Sequence, residues 1–145
     1  MNRIILFEPL KNIIYEELIM NKNAVPVPEC KKITEVVARY VEAIRNGDVD
    51  MLADLFHQGA VTYGTVDGRL VGGIGNPAID FIKKHGASPE LNSHVDILGM
   101  TPTIAVVRVV TEKDAVGSEC AEFLTLLKLD GTWTIIAKAF HQFDQ

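Results

Sequence analysis

The chain has 145 residues, of which 48% are hydrophobic, and its formal net charge is −5 at pH 7. A chain of this length fits one domain, and it can bury about 70% of its unfolded-state surface. The acidic balance argues against a nucleic-acid-binding protein, for which a basic stripe is expected. Residues 4–7 form an apolar run too short for a signal-peptide core. No segment approaches the roughly 18 apolar residues of a membrane helix, so we expect a cytoplasmic protein.

The motif content is sparse. Cys30 and Cys120 are far apart and form no CxxC pair, which indicates reduced cysteines rather than a disulfide. No HxH, HxxxH or Cys/His spacing indicates a metal site, and we expect neither a metal nor a cofactor. The glycine-rich residues 72–75 lack the Lys-Ser/Thr ending of a phosphate loop. His57 and His85 fall at predicted helix ends, where we expect them to be solvated.

The first 28 residues differ from the rest of the chain. Residues 8–20 have a helical apolar stripe, and residues 21–28 contain two prolines and read as a linker. Two interpretations stay open: Met20 is the true start of translation, or the extension is an arm that packs on the domain or on a partner subunit. The domain itself is expected over residues 29–145.

Three helices are predicted in the domain. Residues 31–46 carry one apolar stripe, formed by Ile33, Val36, Val37, Tyr40, Val41 and Ile44. Asp48 caps a second helix that Gly59 ends. Asn76 and Pro77 open a third helix, and Gly86 closes it.

The remaining pattern is β. Residues 60–63 and 69–71 flank an Asp-Gly turn, and residues 93–98, 103–111, 118–129 and 132–143 follow with short connections. Short connections favour antiparallel neighbours. Helices followed by a meander of strands predict an α+β fold, in which helices pack on the concave face of a curved, mixed or antiparallel sheet.

The last two strands form a hairpin across Asp130 and Gly131. Pairing outward from this turn places Leu126 opposite Ile135. The ladder then pairs Leu124 with Ala137, Glu122 with Ala139 and Cys120 with His141, and opposite residues share a face. On this register one face carries Trp133, Ile135, Ala137, Ala139, His141, Cys120, Glu122, Leu124 and Leu126. The other face carries Ala121, Phe123, Thr125, Leu127, Ile136, Lys138 and Phe140.

The first face predicts a ligand pocket. Small residues leave a void there, and Glu122 and His141 are polar groups beside it. Extending the ladder into the preceding strand adds Val107, opposite Glu122, and Val109, opposite Cys120. The predicted pocket residues are Tyr40, Phe56, Tyr63, Val107, Glu122, Leu124, Trp133, Ala137, Ala139 and His141. The second face is also apolar and needs cover, which indicates a homodimer. The predicted dimer face comprises His94, Asp96, Arg108, Phe123, Lys138 and Phe140.

Two segments resemble a known family. VVARYVEAIRNGDVDMLADLFHQGAVTYG and the closing LLKLDGTWTIIAKAF are similar to the nuclear transport factor 2-like superfamily, in its SnoaL-like and putative lumazine-binding branch. The resemblance covers about residues 33–141. It implies a conical α+β barrel with an apolar pocket between sheet and helices, commonly dimeric.

The ketosteroid isomerases belong to the same superfamily. The resemblance places Tyr40 where their oxyanion-hole tyrosine lies, but Gly64 and Leu124 stand where their two catalytic acids would be. Neither residue moves a proton, so isomerase activity by that mechanism is not expected.

Three functions remain open. The first is a domain that binds a small apolar or aromatic molecule in the pocket. The second is an acid/base enzyme of isomerase or hydratase type, with Glu122, His141 and Tyr40 as candidate catalytic residues. The third is a dimeric protein-interaction domain without a ligand.

Overall fold

The structure, a computed structural model, describes residues 27–144. The predicted N-terminal helix and nearly all of the predicted linker lie outside these residues. The described helices are α1 (Val27–Asn46), α2 (Val49–Leu55) and α3 (Pro77–His85). The described strands are β1 (Phe56–Val66), β2 (Arg69–Ile74), β3 (Asn92–Met100), β4 (Ile104–Glu112), β5 (Cys120–Leu129) and β6 (Thr132–Gln142).

Helix α1 forms along its apolar stripe, as predicted. Its buried positions are Ile33, Val37, Tyr40, Val41, Ala43 and Ile44. The helix begins at Val27 rather than at residue 31, because Pro28 sits in the first turn, where no backbone N–H is required. The end of the predicted linker is therefore helical.

The other two helices begin at the predicted caps. Asp48 accepts a hydrogen bond from the Met51 backbone N–H at 2.9 Å, and Asn76 accepts one from that of Ala78 at 3.1 Å. Helix α2 ends earlier than predicted, because Phe56 turns into extended backbone and pairs with Ile135 in β6. The prediction that α2 continues to Gly59 was wrong.

The strands of the described region form one six-stranded sheet in the order β2-β1-β6-β5-β4-β3. Strands β1 and β6 are parallel, and the other neighbouring pairs are antiparallel. Strand β2 continues beyond the predicted residues 69–71, through Gly72 and Gly73 to Ile74. The α+β fold class with a mixed sheet is confirmed.

The β5–β6 hairpin departs from the predicted ladder. Leu126 pairs with Ile135 as expected, but a β-bulge then leaves Ile136 without an opposite residue, and Thr125 pairs with Ala137. A one-residue shift turns every later side chain of β6 to the other face. Lys138 and Phe140 therefore lie on the inner face. The predicted orientation of the β6 side chains after the bulge was wrong.

The predicted β4–β5 register was wrong by two residues. Val107 pairs with Leu124, and Val109 pairs with Glu122. Because a shift of two keeps side chains on their face, both valines still point inward and are fully buried.

The core lies between the inner sheet face and the helices. Besides the α1 stripe it contains Leu52, Leu55, Ile82, Leu91, Ala105, Val107, Val109, Leu124, Leu126, Trp133 and Ile135. No described helix is long and apolar enough to cross a membrane.

Candidate functional site

A cavity of about 260 Å³ lies beside this core, between the helices and the inner face of the sheet. Its apolar wall is formed by Ile44, Val66, Val71, Pro77, Ala78, Phe81, Leu91 and Phe140. Its polar lining residues are Thr62, Thr111, Asp114, Cys120, Glu122, Lys138 and Gln142. The volume is just below the roughly 300–1,000 Å³ that holds drug-sized ligands, so the space suits a small molecule.

Three polar side chains meet beside the cavity, and two of them, Glu122 and Lys138, line its wall. The Tyr40 hydroxyl donates to Glu122 Oε2 at 2.6 Å, and Lys138 Nζ donates to the Tyr40 hydroxyl at 2.9 Å. Lys138 Nζ also lies 2.8 Å from Glu122 Oε1. We call Tyr40, Glu122 and Lys138 the buried triad, because their exposed fractions are 0%, 6% and 7%.

Each member of the triad comes from a different element. Tyr40 belongs to the apolar stripe of α1, and Glu122 points inward from β5. Lys138 follows the bulge in β6, and the bulge is what turns its side chain inward. Without that extra residue the lysine and the glutamate would lie on opposite faces of the sheet.

Aromatic rings surround the lysine. Its Nζ lies 5.6 Å from the ring centroid of Tyr40 and 5.5 Å from that of Phe140, distances at which a ring face attracts a cation. The Phe140 ring packs over Gly64, where any Cβ would collide with that ring and with the Phe140 carbonyl oxygen. The resemblance places a catalytic aspartate at position 64. The space that its side chain would need is filled by the Phe140 ring.

Burial and charge change the acidity of two groups here. The pKa of Tyr40 is raised well above its ordinary value, first by burial and then by the Glu122 carboxylate beside it. The pKa of the Cys120 thiol is raised to about 12, again chiefly by burial and then by Glu122. Both groups therefore remain protonated at neutral pH.

The triad is an unusual arrangement for a purely structural core. Removing two ions from water costs several kcal/mol each, and a hydrophobic replacement of a buried pair is often neutral or stabilising. Titratable groups that are paired in a cleft are functional-site candidates for this reason. The triad can hold a proton, donate hydrogen bonds into the cavity and present an amine.

The predicted pocket residues separate into several groups. Glu122 lines the cavity. Tyr40 does not line it, but its hydroxyl is hydrogen-bonded to Glu122 and Lys138, which do. Val107, Leu124 and Trp133 are buried in the adjacent core but are not part of the cavity wall. Phe56 is half-buried, with its ring 6.0 Å from that of Tyr40.

Four predicted pocket residues lie on the outer face of the sheet instead. Tyr63 is 48% exposed, and Ala137, Ala139 and His141 follow the bulge and point away from the cavity. His141 Nδ1 lies 3.1 Å from the Thr65 hydroxyl, and its ring packs on Phe143. The prediction that Glu122 and His141 face the same pocket was wrong, because the two side chains lie on opposite faces of the sheet.

The residues of the predicted dimer face are also divided between the outer and inner faces of the sheet. His94, Asp96 and Arg108 form an outer cluster, with Nε2 of His94 3.0 Å and Nη2 of Arg108 2.5 Å from the Asp96 carboxylate. The Arg108 hydrogen bonds lower the pKa of Asp96. Phe123 is also on the outer face, but Lys138 and Phe140 are not, and their assignment to the dimer face was wrong.

Sequence reasoning did not assign Lys138 to the pocket, because the sequence indicates that role only weakly. Lys138 is charged within an otherwise apolar stretch of β6, and Glu122 is the opposite charge in β5. A regular ladder separates these two charges, whereas one bulge pairs them. Only the need to neutralise Glu122 hinted at the bulge.

The fold, a sheet packed against helices, is that of the nuclear transport factor 2-like class, also described as cystatin-like. The model of the family described as "Putative lumazine-binding" matches residues 28–141, and the chain belongs to this family.

Three known proteins illustrate the similarity. A protein named "Aldolase FrzH" from Cladobotryum sp. is 34% identical over 104 residues, covering 72% of this chain and 83% of the relative. A structure from Shewanella baltica matches with a TM-score of 0.76 and 29% identity, over 85% of this chain and all (100%) of the other. One from Methylobacillus flagellatus matches with a TM-score of 0.78 and 28% identity, over 85% and 98%. Both structures are described as nuclear transport factor 2-like proteins of unknown function.

Proposed function

We propose that the cavity binds a small, largely apolar carbonyl compound and that the chain catalyses proton transfer at the carbon beside the carbonyl group. The buried triad on the cavity wall carries this proposal. A carboxylate and a hydrogen-bond donor that face one apolar space are what removal of such a proton requires. The 34% identical relative named an aldolase supports it, since aldol chemistry passes through the same enol or enolate.

Each member of the triad has a distinct role in this proposal. Glu122 is the base, because it is the carboxylate of the triad and it lines the cavity. Lys138 activates the carbonyl group, since its ammonium has three N–H groups and two oxygen partners in the triad. Tyr40 is a positioning residue: its hydroxyl holds Glu122 Oε2 and accepts from Lys138.

The experiment follows deuterium exchange into phenylacetone in D2O by NMR. This ketone is small, apolar and carries acidic hydrogens beside the carbonyl group. We expect the protein to accelerate exchange over buffer, and Glu122→Gln to lower the rate by about 100-fold or more, because the amide cannot take the proton.

The matched control is Glu119→Gln, which changes an exposed glutamate just before β5 and should leave the rate unchanged. Circular dichroism melting checks that both variants are folded. Exchange that is no faster than in buffer, or equal in Glu122→Gln and wild type, refutes the proposal and leaves the binding or interaction roles.

We also propose that a second copy of the chain covers the outer sheet face. Across five strands one row contains Tyr63, Ala139, Phe123, Arg108 and Asp96 in register. Exposed large apolar side chains on this face are Val61, Tyr63, Leu70, Ile74 and Phe123, with Ile74 84% and Leu70 73% exposed. An apolar sheet face of this kind is typical of an interaction surface. Sedimentation velocity tests the proposal.

A further inference from the structure

The position of the Lys138 amine suits a nucleophile as well as a cation. Its Nζ is held by two oxygens, Glu122 Oε1 at 2.8 Å and the Tyr40 hydroxyl at 2.9 Å, and the side chain lines the cavity. A lysine ammonium has three N–H directions, so one remains for the space that the residue lines. A desolvated lysine in an apolar pocket is a typical amine nucleophile for carbonyl compounds.

We propose that Lys138 forms a covalent iminium with an aldehyde or ketone bound in the cavity. This inference rests on the proposed function and deepens it, because it states how the carbonyl group is activated. An iminium withdraws electrons from the neighbouring carbon more strongly than a carbonyl group does, and so makes its proton easier for Glu122 to remove.

The step balances with groups already in the triad. The Lys138 ammonium transfers one proton to the Glu122 carboxylate, and the resulting amine adds its electron pair to the carbonyl carbon to form a carbinolamine. Proton transfer from nitrogen to the alkoxide oxygen gives a neutral carbinolamine. Glu122 then returns its proton to the carbinolamine hydroxyl, the C–O bond breaks, and one water leaves. The product is an iminium with one positive charge, and Glu122 is again a carboxylate that can take the proton from carbon.

The cavity walls fit this substrate class. A neutral aldehyde or ketone with an apolar body contacts the aliphatic and aromatic wall, while its single oxygen reaches the triad. Among the described lining residues the other nucleophile is Cys120, whose pKa is raised to about 12, so at neutral pH it is an unreactive thiol. The amine of Lys138 therefore meets the carbonyl carbon without competition from a thiolate.

The experiment traps the intermediate by reduction. The full chain is incubated with phenylacetone and cyanoborohydride, and the product is analysed by intact mass and peptide mapping. We expect one adduct per chain at Lys138, with an added mass equal to the ketone less one oxygen atom. Glu122→Gln should slow the labelling by about 100-fold, since the proton relay is lost.

Two variants provide the comparison. Lys138→Met should abolish the adduct, whereas Lys84→Met, which changes an exposed lysine at the end of α3, should leave it unchanged. If Lys138→Met fails to fold, the site mapped in the wild-type chain decides the question. Labelling that is absent at Lys138, or no faster there than at Lys84, overturns the inference.

The deuterium-exchange assay separates the two proposals. Exchange without a trapped adduct overturns the iminium and leaves Glu122 as the base acting on a hydrogen-bonded carbonyl group. Absence of both exchange and adduct overturns both proposals. Exchange that is retained in a folded Lys138→Met variant also contradicts the covalent route.

Discussion

Burial of the Lys138 side chain disfavours its positive charge, and two hydrogen-bonding partners compensate for the lost water. The ammonium is almost fully removed from water, and within residues 27–144 its polar partners are Glu122 and the Tyr40 hydroxyl. Such a pair is weak evidence for stability, because its mutual attraction is offset by the desolvation of both ions. The residue is therefore better explained by the chemistry proposed for the cavity than by a contribution to folding.

This explanation predicts an asymmetry in stability. Lys138→Met alone should lower the free energy of unfolding by about 3–5 kcal/mol, because it leaves the Glu122 carboxylate buried without its partner. The combined variant Tyr40→Phe, Glu122→Leu, Lys138→Met removes every member of the triad and should regain most of that loss. Urea unfolding followed by tryptophan fluorescence measures both.

The reference for this comparison is the change Lys84→Met, on the surface, which should alter stability by less than about 0.5 kcal/mol. If the combined variant is less stable than Lys138→Met, the triad contributes net stability and its retention needs no functional reason.

At the scale of elements, one contact ties the first helix to the closing hairpin. Glu29, in the first turn of α1, accepts hydrogen bonds from Lys128 Nζ and Trp133 Nε1, both at 3.0 Å, and from Lys32 at 2.8 Å. These bonds, with the Lys32 bond the largest contribution, lower the pKa of Glu29 to about 2. Trp133, predicted to line the pocket, instead has its indole N–H directed to this helix end.

This lowered pKa predicts a pH-dependent contribution to stability. The folded pKa is about 2 and the ordinary value is 4.5, so the stabilisation is complete above pH 4.5 and is lost as the pH falls through about 2. Glu29→Gln should therefore be less stable than wild type at neutral pH, and the difference should shrink as the pH is lowered through that window. Urea unfolding at several pH values gives the difference.

The matched control is Glu35→Gln, an exposed glutamate on the same helix. Its difference from wild type should stay small and change little with pH. A Glu29→Gln difference that is constant between neutral pH and pH 3 would show that the network does not hold the carboxylate in its ionised form.

At the scale of the whole molecule, the two faces of the sheet have different roles. The inner face closes the core and the cavity, while the outer face leaves apolar side chains in water. We predict that the wild-type chain sediments as a dimer at micromolar concentration. Phe123→Lys should give a monomer, because it places a second cation beside Arg108 at the centre of the outer face.

The control replaces an exposed apolar residue away from that face. Val27→Lys, at the start of α1, changes a side chain that is 69% exposed and should leave the dimer intact. A monomeric wild-type chain would contradict the second-copy proposal.

The sequence by itself determined the helices, the caps, the hairpin turn and the fold class, because these depend on neighbours close along the chain. Residues 33–44 carry one apolar helical stripe, Asp48 and Asn76 cap the next two helices, and Asp130-Gly131 forms the hairpin turn. Each of these depends on local geometry alone. Sequence reasoning also selected Glu122, as an isolated carboxylate on an apolar face, and Tyr40, through the family resemblance.

Only the tertiary structure decided which charge meets Glu122. The bulge at Ile136 is one extra residue in a strand whose two faces are both compatible with burial, so local preference does not locate it. Its position is set by partners distant in sequence, namely Glu122 and Tyr40 for Lys138, and Gly64 for the ring of Phe140. That one residue moves His141 and the two alanines out of the site and brings the lysine into it.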